Sequence, residues 1–136
     1  MSRLLALDYG AARCGCALAD PSGTVVTPLA AVARPGTRRG LAAIARLVEE
    51  RGVERVVVGL PLTLAGHEGA QAAETRAFAA RLADEVGLPV DFHDERLTTR
   101  QAERTGGSAD ADSRAAAHLL ESYLATRSGG ASRGAA

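Results

Sequence analysis

The first apolar run of the chain, Leu4-Leu5-Ala6-Leu7, is unbroken rather than alternating. Alternation marks a strand with one wet face, whereas a short continuous run marks a strand covered on both faces. Asp8 stands at its C-terminal end, followed by Tyr9 and Gly10. Cys14 to Ala19 reads as a second strand, and Asp20-Pro21-Ser22-Gly23 places each residue where a type I turn favours it. Thr24 to Val32 is the returning strand, and Pro28 inside it implies an edge position or a bulge.

From Thr37 the period changes. Leu41, Ile44, Ala45 and Val48 fall on one helical face, and Gly52 suits the position just past the helix end. Arg55-Val56-Val57-Val58-Gly59-Leu60-Pro61 is a second buried run, so the helix before it is a crossover and the pairing is parallel. A loop from Thr63 to Gly69 leads into a long helix, about Ala70 to Val86, which Gly87 stops. A fifth strand spans Leu88 to Glu95 and carries acidic residues at its C-terminal end. Thr98-Thr99-Arg100-Gln101 fits a capping box that opens a short helix, and Gly106 to Ala111 reads as a loop. The last helix begins near Asp112, and the Gly/Ser/Ala-rich residues 127–136 are expected to be disordered. Residues 1–126 are thus expected to form one α/β domain. It has a central five-stranded mixed sheet, three antiparallel strands followed by two parallel ones, flanked by helices. Sites in such sheets gather at the carboxyl ends of the parallel strands.

Composition adds few constraints. The chain has 136 residues, 46% apolar and 24% charged, which is ordinary for a water-soluble domain. No apolar run reaches membrane-spanning length and no signal peptide opens the chain, so a cytoplasmic location is expected. Cys14 and Cys16 have no second Cys/His pair with which to build a zinc site, and they read as packing residues. All 16 basic residues are Arg, balanced by 16 acidic ones, so no global charge announces a nucleic-acid binder.

Three carboxylates come from distant places: Asp8 ends the first strand, Glu95 the fifth, and Asp112 opens the last helix. If the first, fourth and fifth strands are parallel neighbours, Asp8 and Glu95 converge, and a helix docked across that edge adds Asp112. Converging carboxylates need a cation, and hard oxygen ligands suit Mg²⁺ or Mn²⁺. Two such ions can activate water and stabilise a leaving oxygen in phosphodiester cleavage. Each residue also has a purely structural explanation. Asp112 or Asp110 can cap the helix, Glu95 can pair with Arg96 or Arg100, and Asp94 competes with Glu95 for the site-facing position.

Five blocks in order carry a resemblance: Leu7-Asp8-Tyr9-Gly10 with Arg13 and Gly15; Ala19-Asp20-Pro21; Val57-Val58-Gly59-Leu60-Pro61-Leu62 with Gly66; Asp94-Glu95-Arg96-Leu97-Thr98-Thr99; and Asp112 with Ala115-Ala116, Leu119-Leu120 and Tyr123-Leu124. From Leu4 to Leu124 the chain resembles the YqgF family, also called RuvX, which has an RNase H-like fold. The resemblance implies that Asp8, Glu95 and Asp112 are the catalytic, metal-holding acids, favouring Glu95 over Asp94, with two Mg²⁺ or Mn²⁺ ions as cofactors. It implies substrate contacts from Arg13 and Arg96. It also implies a hydrolase that matures the 5′ end of small-subunit rRNA precursors and acts on structured RNA as monomer or homodimer. Two other functions stay open: a Holliday junction resolvase, which needs a homodimer for paired incision, and a non-catalytic nucleic-acid or ribosome-assembly module. The chain departs from the family pattern at Thr63-Leu64-Ala65 and in the short acidic connection before Asp112, where relatives carry a longer basic loop.

Overall fold

A computed structural model describes residues 3–97 and 109–135, with side chains described for 3–96 and 111–127. Its elements are β1 (Leu4–Asp8), β2 (Arg13–Ala19), β3 (Val26–Ala33), α1 (Arg38–Glu50), β4 (Arg55–Leu60), α2 (Ala70–Val86), β5 (Val90–Asp94) and α3 (Ala109–Ala135). The strands form one sheet in the order β3-β2-β1-β4-β5. β1 pairs antiparallel with β2 and parallel with β4, and β5 adds parallel to β4. The mixed sheet expected from the sequence is therefore present, with β1 at its centre.

The continuous apolar runs have the expected cause: both faces of the sheet are covered. Leu5, Leu7, Val56 and Val58 face α1 and α2, packing with Ile44, Phe78 and Leu82. Leu4, Ala6, Ala17 and Val57 face α3, against Ala116, Leu119, Leu120 and Tyr123. Each fully buried aliphatic side chain contributes about 1.5–3 kcal/mol of transfer free energy. Pro28 sits on edge strand β3, the first of the two alternatives, in regular register with Ala17; the β2–β3 register shift lies further along, between Cys14 and Cys16. The two cysteines are buried and unbridged. The Cys16 thiol beside it, together with burial, pushes the Cys14 thiol well above its ordinary pKa, as befits a packing residue.

Element ends follow local chemistry. Asp20 accepts from the Thr24 and Val25 amides at 3.0 and 3.1 Å, while the Gly23 amide closes the turn onto the Asp20 carbonyl at 2.9 Å. The Thr37 hydroxyl caps α1 by accepting from the Gly40 amide at 3.1 Å. Gly87 ends α2 at φ +66°, a left-handed conformation that suits glycine. Three boundaries are corrected. β5 stops at Asp94, and Glu95 opens a 3₁₀ turn, Glu95–Leu97. α3 begins at Ala109, placing Asp112 within its first turn, and its backbone stays helical to Ala135 rather than ending near 126. The expected capping box at Thr98–Gln101 lies outside the described residues, as do residues 106–108 of the expected loop, while Ala109–Ala111 are helical. Among the described residues no helix is long and apolar enough to cross a membrane.

Candidate active site

Strand alternation puts the Asp8 side chain on the face that Leu4 and Ala6 present to α3. Its register partner on β2 is Gly15. On the other side, Leu7 pairs with Val58 of β4, and the next residue is Gly59. Asp8 is therefore flanked by a glycine on each neighbouring strand. A Cβ on Gly15 would stand 2.0 Å from the Asp112 carbonyl oxygen, so the first turn of α3 rests directly on the β2 backbone. A Cβ on Gly59 would stand 2.6 Å from Glu95 Oε2, so the Glu95 side chain lies across β4 at that point. The two missing side chains make room for the Asp112 backbone on one side of Asp8 and for the Glu95 carboxylate on the other.

The result is a cleft of about 360 Å³ at the carboxyl ends of β1 and β4. Asp8, Glu95 and Asp112 line it, together with Gly10, Arg13 and Pro61. The convergence expected from the sequence is present. Arg13 also reaches the cleft, where its Nε donates to Asp112 Oδ2 at 2.6 Å. Arg96 is not among the cleft-lining residues. Its guanidinium is clamped by both oxygens of Asp94, at 3.0 Å or less from Oδ2, and its Nη1 donates to the Leu64 carbonyl at 3.3 Å. The Arg96 hydrogen bonds hold the Asp94 carboxyl below its usual pKa. Of the two neighbouring acids, Asp94 clamps Arg96 and Glu95 lines the cleft.

α2 supplies a wall that the sequence reading missed: Gln71, Glu74 and Thr75. Tyr9 stacks on Phe78 with ring centroids 4.5 Å apart and donates its hydroxyl to Glu74 Oε2 at 3.0 Å. Burial and then the Glu74 bond raise the Tyr9 pKa, keeping the phenol protonated. The only signal for this wall was its helical phase, since Gln71, Glu74 and Thr75 fall at i, i+3 and i+4.

Three carboxylates are hard oxygen donors of the kind that Mg²⁺ and Mn²⁺ take. The spaces over Gly15 and Gly59 exist only because no Cβ fills them, so the backbone is built to admit Asp112 and Glu95 beside Asp8. The residues present fit a divalent cation in kind. Among the described residues, however, no three Asp, Glu, His or Cys groups stand close enough together to hold one ion. Asp112 is turned towards Arg13, with which it forms an ion pair.

The model of the RuvX family, described as Holliday junction resolvase, matches residues 2–126. The chain belongs to the RuvX family. A Moorella thermoacetica relative is 44% identical over 131 residues, covering 90% of this chain and 94% of its own. One from Chloroflexus aurantiacus is 42% identical over 133 residues, covering 91% and 87%. Both are provisionally named pre-16S rRNA nucleases. Among solved structures, Thermus thermophilus RuvC bound to a Holliday junction superposes with a TM-score of 0.63 at 16% identity, covering 95% of this chain and 97% of that one. That likeness concerns the fold, which is RNase H-like in this RuvX chain as in RuvC.

Proposed function

We propose that residues 1–126 form a divalent-metal-dependent nuclease that hydrolyses phosphodiester bonds in structured RNA. Its substrate in this reading is precursor 16S rRNA, trimmed at the 5′ end in the cytoplasm. The observation that carries the reading is one cleft lined by Asp8, Glu95 and Asp112 from three separate elements. The provisional names of relatives above 40% identity support the RNA substrate. Asp8, Glu95 and Asp112 would hold Mg²⁺ or Mn²⁺. When bound, such ions polarise the phosphoryl group and lower the pKa of a water.

The chain's own residues do the rest. Asp8 is fixed by the central strand, and Glu95 and Asp112 are set beside it by the glycine gaps. Arg13, with a guanidinium that can meet a phosphate through two parallel hydrogen bonds, orients the backbone of the substrate. Arg96, beside Glu95, adds positive charge at the margin while Asp94 holds it in place. Tyr9 braces Glu74 against the opposite wall.

The test is a side-by-side cleavage assay with Mn²⁺ or Mg²⁺ on a labelled pre-rRNA 5′ leader and on an immobile four-way DNA junction. Wild type cuts the RNA, and Asp8→Asn, which keeps the shape of the side chain, loses about two orders of magnitude or more in rate while its fold stays intact. Undiminished cleavage by Asp8→Asn would remove the assignment. Paired symmetric nicks in the junction, with the RNA untouched, would transfer the chemistry to a dimeric resolvase.

A further inference from the structure

The contact between Arg13 and Asp112 joins a residue expected to meet phosphate to one expected to hold metal. The two are coupled by a single ion pair, Nε to Oδ2 at 2.6 Å, with side chains 42% and 28% exposed. Both backbones are fixed: Asp112 rests on Gly15, and Arg13 leads into the buried residues of β2. Only the two side-chain ends are at liberty to part. A divalent cation competes for the carboxylate, and a phosphodiester competes for the guanidinium.

We infer that Arg13 is the resident counter-ion of Asp112, exchanged for metal when substrate phosphate draws the guanidinium away. The inference rests on the reading of the cleft as a metal-dependent nuclease site. Its consequence is positive coupling. Whichever ligand arrives first must separate the pair, and the second binds without that penalty. Linkage makes the effect reciprocal: RNA tightens metal binding by the same factor by which metal tightens RNA binding. The ion pair is accessible to solvent, so its strength and the coupling are modest. Exposed pairs correspond to a factor of about two to five in an equilibrium constant.

Mn²⁺ titration calorimetry on the full chain, with and without a short phosphorothioate RNA, tests this. Without RNA, Arg13→Gln binds Mn²⁺ about two- to five-fold more tightly than wild type, because Asp112 has no guanidinium to leave. With RNA, wild type gains more than Arg13→Gln by a similar factor, since any gain from the phosphate itself is common to both. Arg13→Lys keeps a charge that can also pair, and falls between the two. Arg13→Gln binding Mn²⁺ no more tightly than wild type in the absence of RNA would overturn the exchange. Asp112→Asn separates the two ideas. If it weakens Mn²⁺ binding while Arg13→Gln does not strengthen it, the exchange alone fails. If it leaves Mn²⁺ affinity unchanged, Asp112 is no ligand and both the exchange and the site reading fall.

Discussion

Gly59 illustrates how a site can depend on an atom that is missing. Any side chain there would begin 2.6 Å from Glu95 Oε2 and 2.8 Å from its Cγ, inside the contact distance of carbon. The obstructed group is the end of a flexible side chain, so Gly59→Ala should fold by letting Glu95 swing out. Alanine also serves a strand slightly better than glycine, so stability should change by less than about 1 kcal/mol. Mn²⁺ affinity should fall about tenfold or more, the scale seen when a supporting residue of a metal site is lost. Adding Glu95→Gln to Gly59→Ala should then cause little further loss, since one change has already removed what the other removes. If the two losses simply add, Gly59 does not act through Glu95. The charged residues at this scale were legible in the sequence, because carboxylates at strand ends carry their own chemical signal. The glycines were legible only as motif letters, since the reason for them is a contact between residues 36 positions apart.

At the scale of elements, α3 ties the sheet together. Its apolar stripe covers β1, β2 and β4, while its polar groups reach β5: Tyr123 donates to Asp91 Oδ2 at 2.5 Å, and Asp91 also accepts from Arg55 Nη1 at 2.9 Å. Beside them His93 is buried, edge-on to Tyr123, with Nε2 2.8 Å from Ser122 Oγ. Burial lowers the His93 pKa below its ordinary value. The sign follows directly. Unfolded chains take up a proton as pH falls past about 6.5, whereas the folded chain resists until its lower pKa is reached, so folding weakens across that window. The thermal midpoint of wild type should therefore drop between about pH 7 and about pH 5.5, before the carboxylates titrate. His93→Gln, which can still hydrogen-bond Ser122, should flatten that drop. A slope unchanged by the substitution would show that other groups cause it. Sequence periodicity found α3 and its inward residues, but gave His93 no partner. Strand alternation cannot reveal which helix residue will stand opposite.

For the molecule as a whole, the topology was the most legible level. Two continuous apolar runs fixed β1 and β4 as interior strands, and the right-handed crossover preference left few ways to arrange the rest. Charge was the least legible, because a chain with 16 acidic and 16 basic residues has no net charge whatever its surface pattern. Among the described residues, the acidic cleft is served by Arg13 on its wall and Arg96 beside Glu95, each bonded to an aspartate. Affinity for RNA should then depend only weakly on salt. Two phosphate contacts to a single strand give a slope of log K against log salt near −1.4, from about −0.7 for each contact. Fluorescence anisotropy on Asp8→Asn, which binds without cutting, measures that slope. Adding Arg13→Gln should bring it about 0.7 closer to zero, with similar effect on unrelated sequences, because a phosphate contact carries no base information. A slope as steep as about −5 would mean that a broad basic surface elsewhere holds the RNA. The cleft would then be where the strand is cut but not where it is recognised.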